Sequence, residues 1–171
     1  IDTEFWSDQG QVSIGDKNDI IFVGNDGSRD VELLINLAEK LNNYNFIFVS
    51  NIPNLQKVNM KNVELYSGKW GDVRITDTEL KGLYLNSKIS IIPLKETSQP
   101  SGQSVALQSM SLGIPVLISR TKGFWDPETI LENKDIFFID ESSVEAWKKK
   151  IEQILEDKGL YEIVQKNAKK K

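Results

Sequence analysis

The sequence predicts an α/β protein in which a doubly wound parallel sheet of about six strands is covered by helices on both faces. Short apolar runs of β-branched and aromatic residues alternate along the chain with longer segments of helical periodicity. The runs are apolar at successive positions, which is typical of parallel strands buried on both faces. Turn residues, mostly glycine, asparagine and proline, separate these segments.

The composition limits the function before any motif is considered. The chain has 171 residues and a net charge of -4, which suits one α/β domain and indicates no nucleic-acid partner. Cysteine and histidine are both absent, which excludes disulfides, a Ser-His-Asp triad and a zinc site of His and Cys ligands within this chain. We find no run of membrane-spanning length and no signal peptide, so we expect a cytoplasmic location.

The first half of the chain predicts two strand–turn–helix units. A buried strand at 19–24 is followed by turn residues and by a helix at 30–41, in which apolar residues recur at helical spacing. The residues before this strand are polar and read as a linker. The next predicted elements are strands at 45–49 and 62–66 and a helix at 76–87, with Thr76 or Asp77 as its cap.

The segment from 89 to 118 predicts a strand, a polar loop, a helix, a tight turn and a second buried strand. Ser101 or Ser104 can cap the helix, and Gly113 suits its end. A helix that begins at Ser101-Gly102-Gln103-Ser104 presents unpaired backbone N–H groups and the positive end of its dipole. Because α/β proteins hold phosphate at such a position, we expect a phosphate site here. The last predicted elements are a strand at 136–140, a helix from 141 onward and a final helix at 161–171.

The order of these segments resembles the C-terminal, donor-binding domain of glycosyltransferases of the GT-B fold, family 4 (glycosyl transferases group 1). In that family, Glu-Gly-Phe-Gly, apolar residues, Glu-Ala-Met-Ala, Gly and Pro-Val lead into a strand. Residues 108–116, Gln-Ser-Met-Ser-Leu-Gly-Ile-Pro-Val, match the second half of this pattern. Residues 1–6 are similar to the family's crossing between its two domains. The resemblance therefore implies a Rossmann-like sheet, the C-terminal half of a GT-B fold, with 1–18 as an interdomain linker segment and 19–171 as the nucleotide-sugar-binding domain.

The resemblance also implies a donor site that departs from the family at several positions. Arg29 falls at the family lysine that reaches the donor diphosphate, whereas Asn25 stands where the family has arginine. The two family glutamates map to Pro100 and Gln108; Gln108 can still bond a ribose hydroxyl, and Glu96 or Gln99 is the candidate replacement for the other. Trp70 is a candidate for stacking on the nucleobase. The complete predicted donor-binding set is Gly24, Asn25, Arg29, Gly68, Trp70, Glu96, Gln99, Ser101, Gly102, Gln103, Ser104 and Gln108.

Two charged residues after the second buried strand, Arg120 and Lys122, flank this predicted site. They replace the glycine-rich turn of the family and are candidates to supply the charge that Asn25 lacks, although ordinary loop charge is the simpler interpretation. No catalytic residue and no metal ligand can be assigned. No Asp-x-Asp motif occurs in the chain, which agrees with a family that needs no metal to stabilise the leaving diphosphate.

The function implied by the resemblance is donor binding in a retaining glycosyltransferase, which moves a sugar from a nucleotide diphosphate sugar to an acceptor in cell-surface glycan synthesis. The family's N-terminal acceptor domain is missing from this chain, so the domain alone is expected to be inactive. No cofactor is expected, and the full-length protein is a candidate for peripheral contact with the inner face of the membrane.

Two alternatives remain open from the sequence. The first is a degenerate, non-catalytic nucleotide-binding or interaction domain of the same fold, because Asn25, Pro100 and Gln108 all differ from the family residues. The second is a flavodoxin-like domain such as a response regulator. A regulator needs clustered acidic residues after its first strand, whereas Asp26 is isolated, so this interpretation is disfavoured.

Overall fold

The computed structural model describes residues 1–7, 18–67 and 75–170, and the statements below concern these residues. They contain six strands, five α-helices and one short 3-10 helix at Leu55–Lys57. The elements are β1 (Asn18–Val23), α1 (Val31–Lys40), β2 (Phe46–Val49), β3 (Val63–Tyr66), α2 (Asp77–Leu85), β4 (Ser87–Ile92), α3 (Gln103–Ser111), β5 (Val116–Ser119), β6 (Phe137–Ile139), α4 (Val144–Glu156) and α5 (Lys158–Ala168). An α-helix follows each of β1, β3, β4 and β6.

The six strands form one sheet in the order β3-β2-β1-β4-β5-β6, and every neighbouring pair is parallel. The prediction of a doubly wound parallel sheet is therefore confirmed. From β1 the chain adds β2 and β3 on one side. It then returns to place β4 on the other side of β1, and β5 and β6 extend the sheet in that direction. The switch in strand order lies between β1 and β4, which is where open α/β sheets form a crevice at the carboxyl ends of their strands.

Alternate residues of each strand enter cores on opposite faces of the sheet. In β1, Ile20 and Phe22 pack in the cluster that contains the buried residues of α1 and α4. Ile21 lies instead in the cluster that contains Tyr84 of α2. All three strand residues have 0% exposure, so burial on both faces accounts for the continuous apolar run in the sequence.

Side-chain caps determine the start of two helices, one where the sequence predicts it and one earlier. At the start of α2, Thr76 Oγ1 accepts from the Glu79 N–H at 3.2 Å, while the Thr76 N–H donates to Glu79 Oε2 at 2.7 Å. This reciprocal capping box confirms Thr76 as the cap. Helix α5 begins three residues earlier than predicted because Asp157 Oδ1 accepts from the Leu160 N–H at 3.0 Å.

The start of α3 differs from the prediction. Its cap is Gly102, with φ of 77° and no side-chain hydrogen bond, and Ser104 lies within the helix. The expectation of a serine cap was therefore wrong. The end of α3 agrees better, since Gly113 just beyond it has φ of 71°, the left-handed conformation that commonly ends a helix.

The first seven residues are attached to the domain through α2. Trp6 is 5% exposed, and its ring packs edge-to-face on Tyr84 with centroids 6.1 Å apart. Lys81 Nζ donates to the carbonyl oxygens of Phe5 at 2.6 Å and Ser7 at 2.9 Å. The segment that resembles the family's domain crossing thus contributes an aromatic side chain to one core.

Candidate functional site

The loops that follow β1 and β4 are joined at the crevice between those two strands. The Asp30 N–H donates to the Pro93 carbonyl at 3.0 Å, and the Lys95 N–H donates to the Ser28 carbonyl at 2.9 Å. Arg29 lies between these bonds and forms an antiparallel bridge with Leu94. This pairing fixes the backbone of Arg29 and directs its long side chain toward the start of α3.

The side chain of Arg29 is buried, with 3% of its surface exposed. Its Nη1 donates to Ser101 Oγ at 3.0 Å, and its Nη2 lies 3.2 Å from Asp26 Oδ2. Burial lowers the pKa of Arg29 from its ordinary value, and the negative charge of Asp26 opposes this shift. The site therefore contains a desolvated cation whose acidic partner, among the described residues, is Asp26.

Two glycines make room for this guanidinium. A Cβ atom on Gly24 would lie 2.2 Å from Arg29 Nε, so only glycine lets the side chain cross the end of β1. A Cβ atom on Gly102 would lie 2.7 Å from Ile92 Cγ2 and 3.4 Å from Arg29 Nη1. Gly102 therefore meets a need of the fold, in addition to the close ligand approach for which the sequence singled it out.

An open cavity of about 430 Å³ lies at the N-terminus of α3. It is lined by Asp26, Ser28, Arg29, Pro100, Ser101, Gly102, Gln103, Ser104 and Val105. A second cavity of about 810 Å³ lies over the ends of β1 and β2, and its lining includes Asn25, Asn51, Ile52 and Lys95. Asp26 and Arg29 line both cavities. The pair therefore stands at the junction between the two spaces.

The structure brings together about half of the residues predicted for the donor site. Arg29 and the four residues 101–104 line one cavity. Gly24 packs directly against the Arg29 side chain and leaves space for it. Asn25 lines the larger cavity, where its Oδ1 accepts from the Asn51 N–H at 2.5 Å.

Three other predicted residues lie away from the linings of these two cavities. Glu96 Oε1 accepts from the Lys122 N–H at 3.4 Å, in a contact between the β4–α3 and β5–β6 loops. The backbone of Gln99 packs against Gly123 in the same contact, since a Cβ atom on Gly123 would lie 2.3 Å from the Gln99 carbonyl oxygen. Gln108 is half-buried along α3. Gly68 and Trp70 fall outside the described residues.

Sequence reasoning missed Asp26 as a residue of the site. The sequence predicts a turn at this residue, and the structure has one, since Asp26 Oδ1 accepts from the Ser28 N–H at 2.9 Å. Its second oxygen faces Arg29. The spacing of three residues between an acid and the candidate cation is the signal that could have identified the pair.

Arg120, which the sequence placed beside the site, has a separate set of partners. Its Nε donates to Asp140 Oδ1 at 2.8 Å, and its Nη2 donates to Glu132 Oε2 at 2.5 Å. The guanidinium also lies over the Phe138 ring, 4.2 Å from its centroid. These residues other than Asp140 line a third cavity of about 290 Å³, and Arg120 is neutralised there by two carboxylates.

The described part of the chain contains neither a candidate metal cluster nor a candidate membrane-spanning helix. No group of three or more acidic, histidine or cysteine side chains in residues 1–7, 18–67 and 75–170 is arranged to hold a metal ion. Within the same residues, no helix combines the length and the apolar character that crossing a membrane requires.

Comparisons with known proteins agree with this architecture. A family model described as glycosyl transferases group 1 matches residues 4–171. No curated protein sequence matched the chain. Among solved structures, HepE from Anabaena in complex with UDP-glucose is similar over 99% of this chain and 50% of HepE, with 11% identity and a TM-score of 0.75.

Two further structures define how much of such a protein this chain represents. WaaG, a glycosyltransferase involved in lipopolysaccharide biosynthesis, matches over 91% of this chain and 42% of its own, with 18% identity and a TM-score of 0.68. The C-terminal domain of LpcC, a glycosyl transferase group 1 family protein from Francisella tularensis, matches over 99% of this chain and 95% of its own, with 12% identity and a TM-score of 0.68. At such identities the likeness establishes the fold. The chain spans half or less of HepE and WaaG.

Proposed function

Because this chain belongs to the glycosyl transferases group 1 family, we propose that it is the donor-binding domain of a glycosyltransferase that uses a nucleotide diphosphate sugar. The observation that carries the proposal is the position of Arg29, whose buried guanidinium contacts Ser101 at the N-terminus of α3. This contact lines an open cavity at the switch point of the sheet. A cation and a helix N-terminus at that point are a suitable combination for a phosphate group.

Within the cavity, each group has a distinct part in binding. The N–H groups at the start of α3 and the hydroxyls of Ser101 and Ser104 donate hydrogen bonds to phosphate oxygens. Arg29 adds a charge-assisted bond. During sugar transfer, negative charge develops on the diphosphate as it leaves, and donors that are already oriented stabilise that charge without rearrangement. The same groups thus serve binding and departure of the diphosphate.

The finer parts of the proposal rest on the family resemblance. We expect transfer with retention of anomeric configuration and no requirement for a divalent metal. HepE, which was crystallised with UDP-glucose, supports uridine nucleotides as the first donors to examine. WaaG, with its part in lipopolysaccharide biosynthesis, supports a role in cell-surface glycans, with the complete enzyme at the cytoplasmic face of the membrane.

The match to the separate C-terminal domain of LpcC supports the assignment of this chain to the donor half of a two-domain enzyme. Residues 1–18 then connect the halves, and the acceptor-binding half supplies the remaining catalytic groups. We expect the chain alone to transfer no sugar. Turnover by the purified chain with any nucleotide sugar and acceptor would contradict this division of labour.

A non-catalytic domain of the same fold is the second candidate. It is favoured by the pairing of Asp26 with Arg29, which leaves the site without a net positive charge from this pair. The residues at the family arginine and glutamate positions, Asn25, Pro100 and Gln108, point the same way. The donor-binding candidate predicts measurable affinity for nucleotides, whereas the degenerate site of the second candidate predicts weak binding or none.

Isothermal titration calorimetry of the purified chain with UDP, GDP and ADP tests the proposal. We expect saturable binding, and we expect Arg29→Ala to weaken it roughly 10- to 150-fold, the equivalent of losing a hydrogen bond to a charged group. Arg120→Ala is the matched control and should leave the affinity unchanged. EDTA should have no effect on binding. Equal affinities in the Arg29 and Arg120 variants would place the nucleotide site elsewhere, and complete absence of binding would favour the non-catalytic candidate.

A further inference from the structure

We propose that Asp26 is an internal anion of the donor site, which pairs with Arg29 until a substrate phosphate replaces it and thereby limits the affinity for the donor. This inference rests on the proposed donor-binding function and assigns a determinant of affinity to the same site. It concerns a residue that the sequence pattern did not single out.

The two partners differ in their access to water. The Arg29 side chain is 3% exposed, whereas the Asp26 side chain is 49% exposed. Moving Asp26 away from the pair transfers its carboxylate toward solvent, where it is readily hydrated. Moving Arg29 requires a buried cation to leave the space between Gly24 and Gly102. Exchange of anions at a fixed Arg29 is therefore the easier change.

The contact between Arg29 and Asp26 is of a kind that a phosphate can replace. The distance from Nη2 to Oδ2 is 3.2 Å, longer than the 2.7–2.9 Å usual for a charge-assisted bond. In the described part of the chain, the Arg29 side chain donates a hydrogen bond to Ser101 and none to Asp26, so the pair lacks the two parallel bonds that hold arginine and carboxylate most firmly. The buried Nε of Arg29 has no hydrogen-bond partner among the described residues. A better-placed anion can therefore compete for this cation.

Asp26 also accepts from the hydroxyl of Ser101, which is the second donor that a phosphate would use. Ser101 Oγ accepts from Arg29 Nη1 at 3.0 Å and lies 3.3 Å from Asp26 Oδ1, to which it can donate. The three side chains form a closed triangle at the N-terminus of α3, along the wall of the cavity. A phosphate bound there meets both the carboxylate and the groups that the carboxylate engages. Binding then requires Asp26 to turn toward solvent, and like charges still face each other afterwards.

Replacing Asp26 by asparagine isolates this effect. The amide oxygen of Asp26→Asn can still accept from the Ser28 N–H, which stabilises the turn. The negative charge is lost, so phosphate no longer competes with a carboxylate for Arg29. We expect UDP and inorganic pyrophosphate to bind roughly 2- to 5-fold more tightly in about 0.15 M salt, with a larger gain at lower ionic strength.

Three controls accompany the titrations. Asp19→Asn removes an acid that pairs with Lys88 near the start of β4. This pair lies at the amino ends of the strands, away from the cavity, so the variant should leave UDP affinity unchanged. Uridine lacks phosphate, so Asp26→Asn should not change its binding. In the Arg29→Ala background, Asp26→Asn should give a smaller gain than in the wild type, because the competition for Arg29 has been removed. Thermal melting of each variant verifies folding.

The outcomes separate the inference from the function on which it rests. If the wild-type chain binds UDP and Asp26→Asn binds it with equal or lower affinity, the inference is wrong and the donor-binding function stands. A loss of affinity that appears only with Mg²⁺ overturns the inference as well, because Asp26 would then be a cation ligand. If neither protein binds UDP or pyrophosphate, both the inference and the donor function fail. Binding by the variant alone supports the inference.

Discussion

Two arginines at the carboxyl edge of the sheet are treated in opposite ways by the fold. Arg29, after β1, has a side chain that is 3% exposed and pairs with Asp26, which is half-exposed. Arg120, after β5, is 40% exposed and contacts two carboxylates, Glu132 and Asp140, as well as the face of Phe138. The more deeply buried cation thus has the weaker compensation from the protein itself.

This difference indicates which arginine is available to a ligand. Desolvating a guanidinium is unfavourable unless anions compensate it. At Arg120 the protein supplies that compensation and leaves no net positive charge. At Arg29 the anionic compensation from the described residues is the Asp26 contact of 3.2 Å beside a cavity, which is the arrangement expected of the proposed substrate-anion site. The predictions below test whether the two arginines differ in this way.

The largest effect is expected where the backbone makes the space for Arg29. Gly102→Ala should lower the free energy of unfolding by about 2–4 kcal/mol, because backbone strain at positive φ adds to overpacking against Ile92. Gly82 in α2 has open space around it, so Gly82→Ala should raise the free energy of unfolding by about 0.5–1 kcal/mol. Urea unfolding of both variants measures the difference. A tolerated Gly102→Ala would mean that the start of α3 can rearrange.

A smaller effect on stability, with a large effect on binding, is expected from Arg29→Met. Methionine fills much of the same buried space, and the remaining carboxylate of Asp26 is half-exposed and can be hydrated. The free energy of unfolding should therefore change by less than about 1 kcal/mol, while nucleotide binding should weaken roughly 10- to 150-fold, as for Arg29→Ala. Arg120→Met should retain binding. A much lower urea midpoint for Arg29→Met would show that the arginine is required for the fold. Arg29 would then be a structural cation, and the proposed difference from Arg120 would be wrong.

The sequence was sufficient for the sheet and for the approach of Arg29 to α3. Continuous apolar runs predict strands buried on both faces, and parallel strands bring the loops after β1 and β4 to one edge. This arrangement allows the contact between Arg29 and Ser101, while the choice of Arg29 as a site residue came from the family resemblance. The spacing of Thr76 and Glu79 determines a local capping box.

Features that depend on tertiary contacts could not be predicted from the sequence. The left-handed conformation of Gly102 is tied to its packing against Ile92 and Arg29, which no local pattern records. The contact between Glu96 and the Lys122 N–H depends on how two loops meet. Asp26 already had a sufficient local explanation as a turn residue, so its second contact, with Arg29, gave no separate signal.

The smallest effect on stability is expected at the exposed ion pair between Arg120 and Glu132. Glu132→Gln removes one of the two charges around Arg120, and both Arg120 and Glu132 are 40% exposed. Water and salt screen such a pair, so the free energy of unfolding should fall by less than about 1 kcal/mol, and the loss should shrink further at high salt. Asp140 and the Phe138 ring continue to hold the guanidinium.

Nucleotide affinity should stay within error of the wild type, because Arg120 still has a carboxylate partner and lies in a different cavity from Arg29. Urea unfolding at two salt concentrations, with calorimetry for UDP, makes the comparison. A marked gain in UDP affinity would show that Glu132 holds Arg120 away from the donor, and the two arginines would then form one site.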